Sequence, residues 1–484
     1  LSIVADPRHY RLFADAIRKN KGVVAQLLKV ELEMKPPKGV PVAGLEAALE
    51  MHGKRRGYAA AVLLSLGESA LVWPVFAFPK DGDPTARSYL LARLAAVGAD
   101  PLALMRRFDA EADVSAKRAL LVTLGDFPME SVPRWDAERE AMAGRLLVLY
   151  RDHPDPGLHG AIDWLLRQKW GKGKELTAID SELASASRAK VVARGLAEVG
   201  PVPVGPLLPA PVVAEKRNWF VSGEGGTYSV VRGPVVLTLG SPPSEPGRID
   251  RNEQAHRKQI SRTFAIATKE VTMAEFLRFR PDHGWLKRVS PGPDTPAVAV
   301  SWYECAAYCN WLSEREGIPT DQWCYAPATG GVFGEGMRMK AGHLKLTGYR
   351  LPTNAEWECA CRSGAVTARY HGRGEELLAR YGWFLKNADE RAWPVGQLRP
   401  NELGLFDALG NANEWVEEPA LLNGSGEDIE DGKRSLLMDE RSSVSLRGGS
   451  FASHPFSVRS AGHGVNRPGY RNNMYGFRPT RTLP

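Results

Sequence analysis

The sequence contains no apolar run of 18 residues or more, so it offers no membrane-spanning helix. It also shows no charged, apolar and cleavable leader of the secretory kind. Cysteine is scarce. The 484 residues hold five, an odd number, and all lie between Cys305 and Cys361. That density excludes a disulfide framework and points to a reducing, cytoplasmic setting. Basic residues never bunch into a run of five. The net charge of +7 is what remains of 63 Lys and Arg against 56 Asp and Glu. This mild excess suits acidic partners, and no nucleic-acid motif accompanies it. A kinase's Gly-rich loop, His-Arg-Asp and Asp-Phe-Gly are all missing. The chain opens on Leu1 and reads as a piece of a longer protein.

What is present divides the chain. With 43% hydrophobic and 25% charged residues, the composition is that of a globular protein of two or three domains. An amphipathic segment over 1–50 (Tyr10, Leu12, Phe13, Ile17, Val23, Val24, Leu27, Leu28) is broken at Met34-Lys-Pro-Pro-Lys-Gly39. Over 51–170 a pattern recurs at Asp83, Asp113 and Asp155, more weakly at Tyr58. Each strong copy sets an Asp where a helix N-cap is wanted, ahead of a Leu-rich stripe. Such irregular helical pairs resemble HEAT-type repeats, which serve either as a structural spacer or as a surface for partners. Residues 171–215 lose periodicity. They include Gly200-Pro-Val-Pro-Val-Gly-Pro-Leu-Leu-Pro-Ala-Pro211 and read as a stiff linker.

From 216 to 484 the texture changes to short apolar runs between glycines. Two helices are predicted from capping boxes, Ser301 with Glu304 and Thr353 with Glu356. Four motifs then follow in order: Tyr349-Arg-Leu-Pro-Thr-Asn-Ala-Glu-Trp357, Gly404-Leu-Phe-Asp-Ala-Leu-Gly-Asn-Ala-Asn-Glu-Trp415, Arg447-Gly-Gly-Ser-Phe451 and Gly476-Phe-Arg478. Together they resemble the formylglycine-generating enzyme, or sulfatase-modifying-factor, family. The resemblance implies a loop-rich, C-type-lectin-like domain, and hence an α+β chain: an all-α repeat region followed by that domain. More weakly, the N-terminal half resembles regions of large bacterial proteins with an upstream Ser/Thr kinase, which here would lie before Leu1.

The resemblance also implies a structural calcium held by Asp407, Gly410, Ala412 and Glu414, carboxylate and carbonyl oxygens that suit this hard cation. In oxidase members of the family, cysteines three and eight residues after the Gly-Gly-Ser bind Cu(I). Here those positions hold Ser453 and Val458. A hydroxyl cannot replace a soft thiolate, so copper is not expected. Nor is iron, since the His-x-x-x-His-x-Glu motif of thiol-histidine relatives is missing. The cysteines read as packed small hydrophobes. The stretch 451–475 is dense in polar and aromatic residues that make an adaptable surface. Phe451, Ser453, His454, Phe456, His463, Asn466, Tyr470, Asn472 and Tyr475 are its candidate ligand contacts. In lectin-type relatives this stretch is the variable binding face. The sequence is therefore read as a non-catalytic module for a protein or peptide ligand. The alternative is a protein-modifying oxidase with atypical ligands such as His454 and His463.

Overall fold

The computed structural model describes residues 7–128, 135–198, 217–249, 253–419 and 436–484. The proline-rich stretch 200–211 lies outside them. The N-terminal part is helical: α1 (Pro7–Lys19), α2 (Lys21–Glu33), α3 (Val42–Ser65), α4 (Ser69–Phe76), α5 (Thr85–Arg93), α6 (Pro101–Ala110), α7 (Val114–Leu124), α8 (Trp135–Asp152), α9 (Pro156–Trp164) and α10 (Gly173–Glu198). The aspartates act as expected from their positions. Asp113 accepts from Ala116 N and Asp155 from Leu158 N, filling donors that a helix start leaves open. Asp83 does the same for Thr85 N. Helices α3 and α5 approach closely because Gly53 and Gly57 face α5. A Cβ on Gly57 would lie 2.4 Å from Ala86 O.

Two expectations are corrected. The boundary between residues 50 and 51 falls inside α3, and much of the expected linker is α10, of 26 residues. Its described apolar stripe is short: Leu176, Ile179, Leu183 and Ala184, on a helix rich in Ser and Ala. Tertiary contact, not periodicity, fixes it. Ala184 packs on Trp219 and Val221, and Ser187 Oγ donates to Val221 O at 2.7 Å.

The C-terminal part is built on a five-stranded antiparallel sheet in the order β1 (Trp219–Val221), β2 (Thr227–Val231), β5 (Thr263–Ala267), β14 (Thr480–Leu483), β8 (Tyr349–Arg350). The last strand thus seats between two earlier ones. Strands β3 (Val235–Leu239) and β4 (His256–Ile260) form a separate pair. Strand β5 is buried on both faces, which explains its unbroken apolar run. Ala265 and Ala267 share a core with α11 (Met273–Phe279) and α12 (Trp302–Arg315). Phe264 and Ile266 pack with Ala355 and Ala360 of α13 (Asn354–Arg362). The capping boxes of α12 and α13 form as the sequence predicts. A three-stranded sheet, β10 (Leu436–Leu437), β7 (Arg338–Met339), β6 (Tyr325–Ala326), lies apart. A four-stranded sheet carries the last motifs: β12 (His463–Asn466), β11 (Val444–Arg447), β9 (Asn413–Pro419), β13 (Tyr475–Gly476).

The two parts share one apolar core. Leu91 and Leu120 belong to the same cluster as Trp357, Tyr370, Leu378, Tyr381 and Phe406. Ion pairs rim it. Glu402 receives Arg87 and Arg118 at 2.6 Å each, Asp126 receives Arg380 at 2.7 Å and Arg399, and Asp163 receives Lys269 at 2.7 Å. Burial pushes the Glu402 carboxyl up, but Arg87 and Arg118 outweigh it and hold it below its usual range. Glu402→Gln leaves two arginines short of their partner and is expected to cost about 3 kcal/mol in chemical denaturation. A depressed native pKa gives stability that is present above the unfolded value and lost as pH falls through the native one. The gap between the native protein and the variant should therefore close under acid conditions.

Candidate recognition site

The four sequence motifs meet at α13. Glu414, from the second motif, accepts Arg478 of the fourth through two bonds of 2.6 Å, Nε to Oε2 and Nη2 to Oε1. Trp357 of the first motif donates its indole N–H to Oε2 at 2.8 Å. Arg447 of the third reaches Glu358 on α13, and its guanidinium lies 5.1 Å from the Trp357 ring centre. Glu356 closes the first motif on itself. It caps α13 and receives Arg350 through two bonds of 2.6 Å. All four charged partners in the Glu414–Arg478 and Arg350–Glu356 pairs are fully buried.

This geometry bears on the expected calcium ligands. Both oxygens of Glu414 accept from Arg478, and Oε2 also from Trp357, so the arginine already neutralises the carboxylate expected to hold the cation. Asp407 is different. Its backbone is left-handed, Oδ2 accepts from Gly396 N at 2.7 Å, and Oδ1 is buried with no donor. That orphan oxygen fits a hard cation. Gly410 also has a positive φ, and a Cβ there would sit 2.1 Å from Trp383 O, so only glycine fits. The Ala412 N–H donates to Glu270 at 2.9 Å. Glu270 was missed in the sequence. It also accepts from Asn411 Nδ2 at 2.7 Å, and burial, then Asp407 and Glu414, push its carboxyl well above the usual range. Burial likewise lifts Asp407 to about 6. No spacing rule links position 270 to position 407. Its one sequence signal is a carboxylate placed straight after an apolar strand. Among the described residues no group of three or more His, Cys, Asp or Glu side chains is arranged to hold a metal ion.

The positions after the Gly-Gly-Ser are occupied by other interactions. Ser453 Oγ accepts from Ser450 N at 2.9 Å. Val458 is fully buried and lies against Gly449. The nearby Cys361 Sγ sits 3.6 Å from Ser460 Oγ, and burial pushes its thiol up to about 12. Cys305, Cys309 and Cys324 are buried too, with raised thiols, and none of the five is in a disulfide.

The candidate ligand contacts fall into two exposed patches and one correction. Phe451 is a core residue, packed with Val289, Ala388 and Ala392, because Gly448 and Gly449 turn the chain inward before it. In the first patch His454 and Phe456 stack, ring centres 5.4 Å apart, and Phe456 is 55% exposed. Arg459 pins this turn from beneath. It donates to Phe456 O at 2.6 Å and pairs with Glu245 and Glu253. In the second patch Asn466 Nδ2 donates to Tyr475 Oη at 3.1 Å, and Tyr470 lies beside Tyr475. Tyr470 is 47% exposed. Asn472 is half-buried and holds Met474 N. His463 is half-buried on β12 opposite Arg447 and shares no metal cluster with His454. Strand β12 is an edge. It pairs only with β11 in its sheet, and among the described residues its backbone has no other backbone partner. Val465 on this strand is exposed and was also missed.

Residues 220–483 match the Sulfatase-modifying factor enzyme 1-like domain. The chain belongs to this family. It is 28% identical over 180 residues to the chaperone protein LppX of Paenibacillus barcinonensis, covering 32% of this chain and 62% of that protein. It is 28% identical over 191 residues to the serine/threonine-protein kinase pkn1 of Chlamydia pneumoniae, covering 39% and 24%. It is 27% identical over 202 residues to the formylglycine-generating enzyme of Bos taurus, covering 38% and 44%. The chain thus spans less than two thirds of these relatives' lengths. Also among the described residues, no helix is long and apolar enough to cross a membrane.

The cysteine environments give a direct check. Thiol reagents should modify at most Cys359, the one half-buried cysteine, in the native protein, and all five after denaturation. Fast native reaction at Cys361, located by peptide mapping, would contradict its burial.

Proposed function

We propose that this chain is a non-catalytic recognition module of the sulfatase-modifying-factor family, which takes an extended protein or peptide segment along residues 453–475. The observation that carries the reading is the open edge of β12, preceded in the chain by the exposed His454 and Phe456 and followed by the exposed Tyr470. An edge strand offers main-chain bonds to an added strand, and neighbouring aromatic side chains provide selectivity. Support comes from the oxidase positions. Neither the Ser453 hydroxyl nor the sealed Val458 can supply the thiolate pair that holds Cu(I). The chain is also similar to a protein named a chaperone, which accords with handling a protein partner. The helical part, read as HEAT-like repeats, serves as a scaffold fused to the module. The kinship with serine/threonine kinases supports a place in a larger bacterial signalling protein in the cytoplasm.

Calcium is the proposed structural ion, with Asp407 Oδ1 as the side-chain ligand and the Gly410 and Ala412 carbonyls beside it. When bound, it would neutralise the buried Asp407 carboxylate. No step of recognition depends on it. Added Ca²⁺ should raise the thermal midpoint of the native protein and leave that of Asp407→Asn unmoved. Equal responses in the two proteins would remove calcium from this position.

For recognition, affinity capture should compare the native chain with His454→Ala/Phe456→Ala/Tyr470→Ala. These side chains are exposed, so the variant should keep its circular dichroism and melting temperature. The expected result is a captured protein whose affinity falls at least about tenfold in the variant, the scale of about 1.4 kcal/mol. Unchanged capture would move recognition away from this surface.

A further inference from the structure

A cavity of about 130 Å³ lies where the helical part meets the five-stranded sheet. The helical part supplies Tyr150, His159 and Asp163 to its wall, and the other side supplies Tyr228, Lys269 and Tyr308. No residue of 451–475 lines it, so it is separate from the surface proposed for recognition. Gly225 and Arg278 line it too and are exposed, which leaves a path to solvent. Spaces between two packed parts of a chain are preferred places for small ligands.

The charges in the wall are already answered. Lys269 donates to Asp163 at 2.7 Å, and Arg167 bridges Asp163 at 2.9 Å and Asp180 at 3.0 Å. Glu224 pairs with Arg315 at 2.9 Å and lies 3.9 Å from Arg278. Glu275 caps α11, and Glu270 spends its two oxygens on Asn411 Nδ2 and Ala412 N. An ion entering this space would find no opposite charge left unpaired. What is unanswered is uncharged. Tyr228 and Tyr308 are 2% and 3% exposed, yet among the described residues neither hydroxyl has a hydrogen-bond partner. Burial pushes both phenols well above their usual range, so both keep their protons. His159 Nδ1 donates to Tyr150 O at 2.9 Å, which leaves Nε2 as an acceptor without a donor. Burial holds this imidazole down at about 4, so it carries no charge near neutral pH. Buried polar atoms without partners are costly and rare, and here three belong to the wall of one cavity.

We propose that this cavity binds a short uncharged polyol of three or four carbons. A hydroxyl both donates and accepts, so it can meet the phenols and the imidazole nitrogen alike. The volume sets the size, since a cavity of about 150 Å³ admits benzene, a molecule of about six non-hydrogen atoms.

Saturation-transfer NMR on the full chain tests the proposal, with glycerol and erythritol as probes. At least one should give a saturable signal with the native protein. In Tyr228→Phe/Tyr308→Phe its affinity should fall at least about tenfold. The double substitution removes only oxygens that bond nothing in the protein, so circular dichroism and melting temperature should hold without ligand. A marked drop in melting temperature would make the hydroxyls structural and overturn the proposal. Equal binding by native and variant protein would overturn it too. No saturable signal from either probe would leave the cavity to water, with the same consequence. Glycerol phosphate is the control for charge. Binding of glycerol phosphate tighter than that of glycerol would overturn the choice of an uncharged ligand.

Discussion

The carboxylate of Glu414 is the point on which the C-terminal part depends. It is fully buried and would be costly there alone. Arg478 neutralises it through two bonds and the Trp357 indole supplies a third. Arg478 also donates to Phe406 O at 2.9 Å and to Ala267 O at 3.1 Å, so one guanidinium ties the last motif to β5 and to the second motif. A loop-rich domain has few long strands or helices to hold it. Buried charge pairs with all their bonds made can specify a single arrangement of such loops, although each pair adds little net stability over an apolar substitute.

This arrangement separates the buried framework from the surface proposed for recognition. The charged residues of the motifs are mostly consumed inward: Arg350 on Glu356, Arg447 on Glu358, Arg459 on Glu245 and Glu253. What they leave outside is a pinned turn bearing His454 and Phe456, and a short open edge strand. Arg459 holds the turn through its backbone and leaves its side chains free to vary without loss of the fold. The helical part contributes differently. It shares a core with α13 and its neighbours and reaches Glu402 and Asp126, which makes it a fixed part of the same body and not a tethered appendage.

Local chemistry was legible in the sequence and distant pairing was not. The capping boxes of Ser301 and Thr353, the helix-starting aspartates and the burial of the helix cysteines follow from neighbours within four residues or from the motif resemblance. The resemblance gave the family and its extent. It did not give the partner of Glu414, which lies 64 residues away at Arg478, or the part played by Glu270, 142 residues before Ala412. Helix α10 was hidden because its stripe is short, and its contacts with β1, Tyr150 and Arg167 explain it. Phe451 looked like a surface aromatic because its neighbours are polar. The two positive-φ glycines before it turn it into the core. The density of polar and aromatic residues marked the stretch proposed for recognition but could not separate its exposed members from its anchors.

The function proposed for this member is to recognise a protein segment and not to oxidise one. The most direct measurement is mass spectrometry of a cysteine-containing peptide incubated aerobically with the purified chain and Cu(I), with an authentic formylglycine-generating enzyme run beside it. The expected result is an unmodified peptide and no copper retained after chelation. Conversion of the cysteine to an aldehyde by this chain would contradict it.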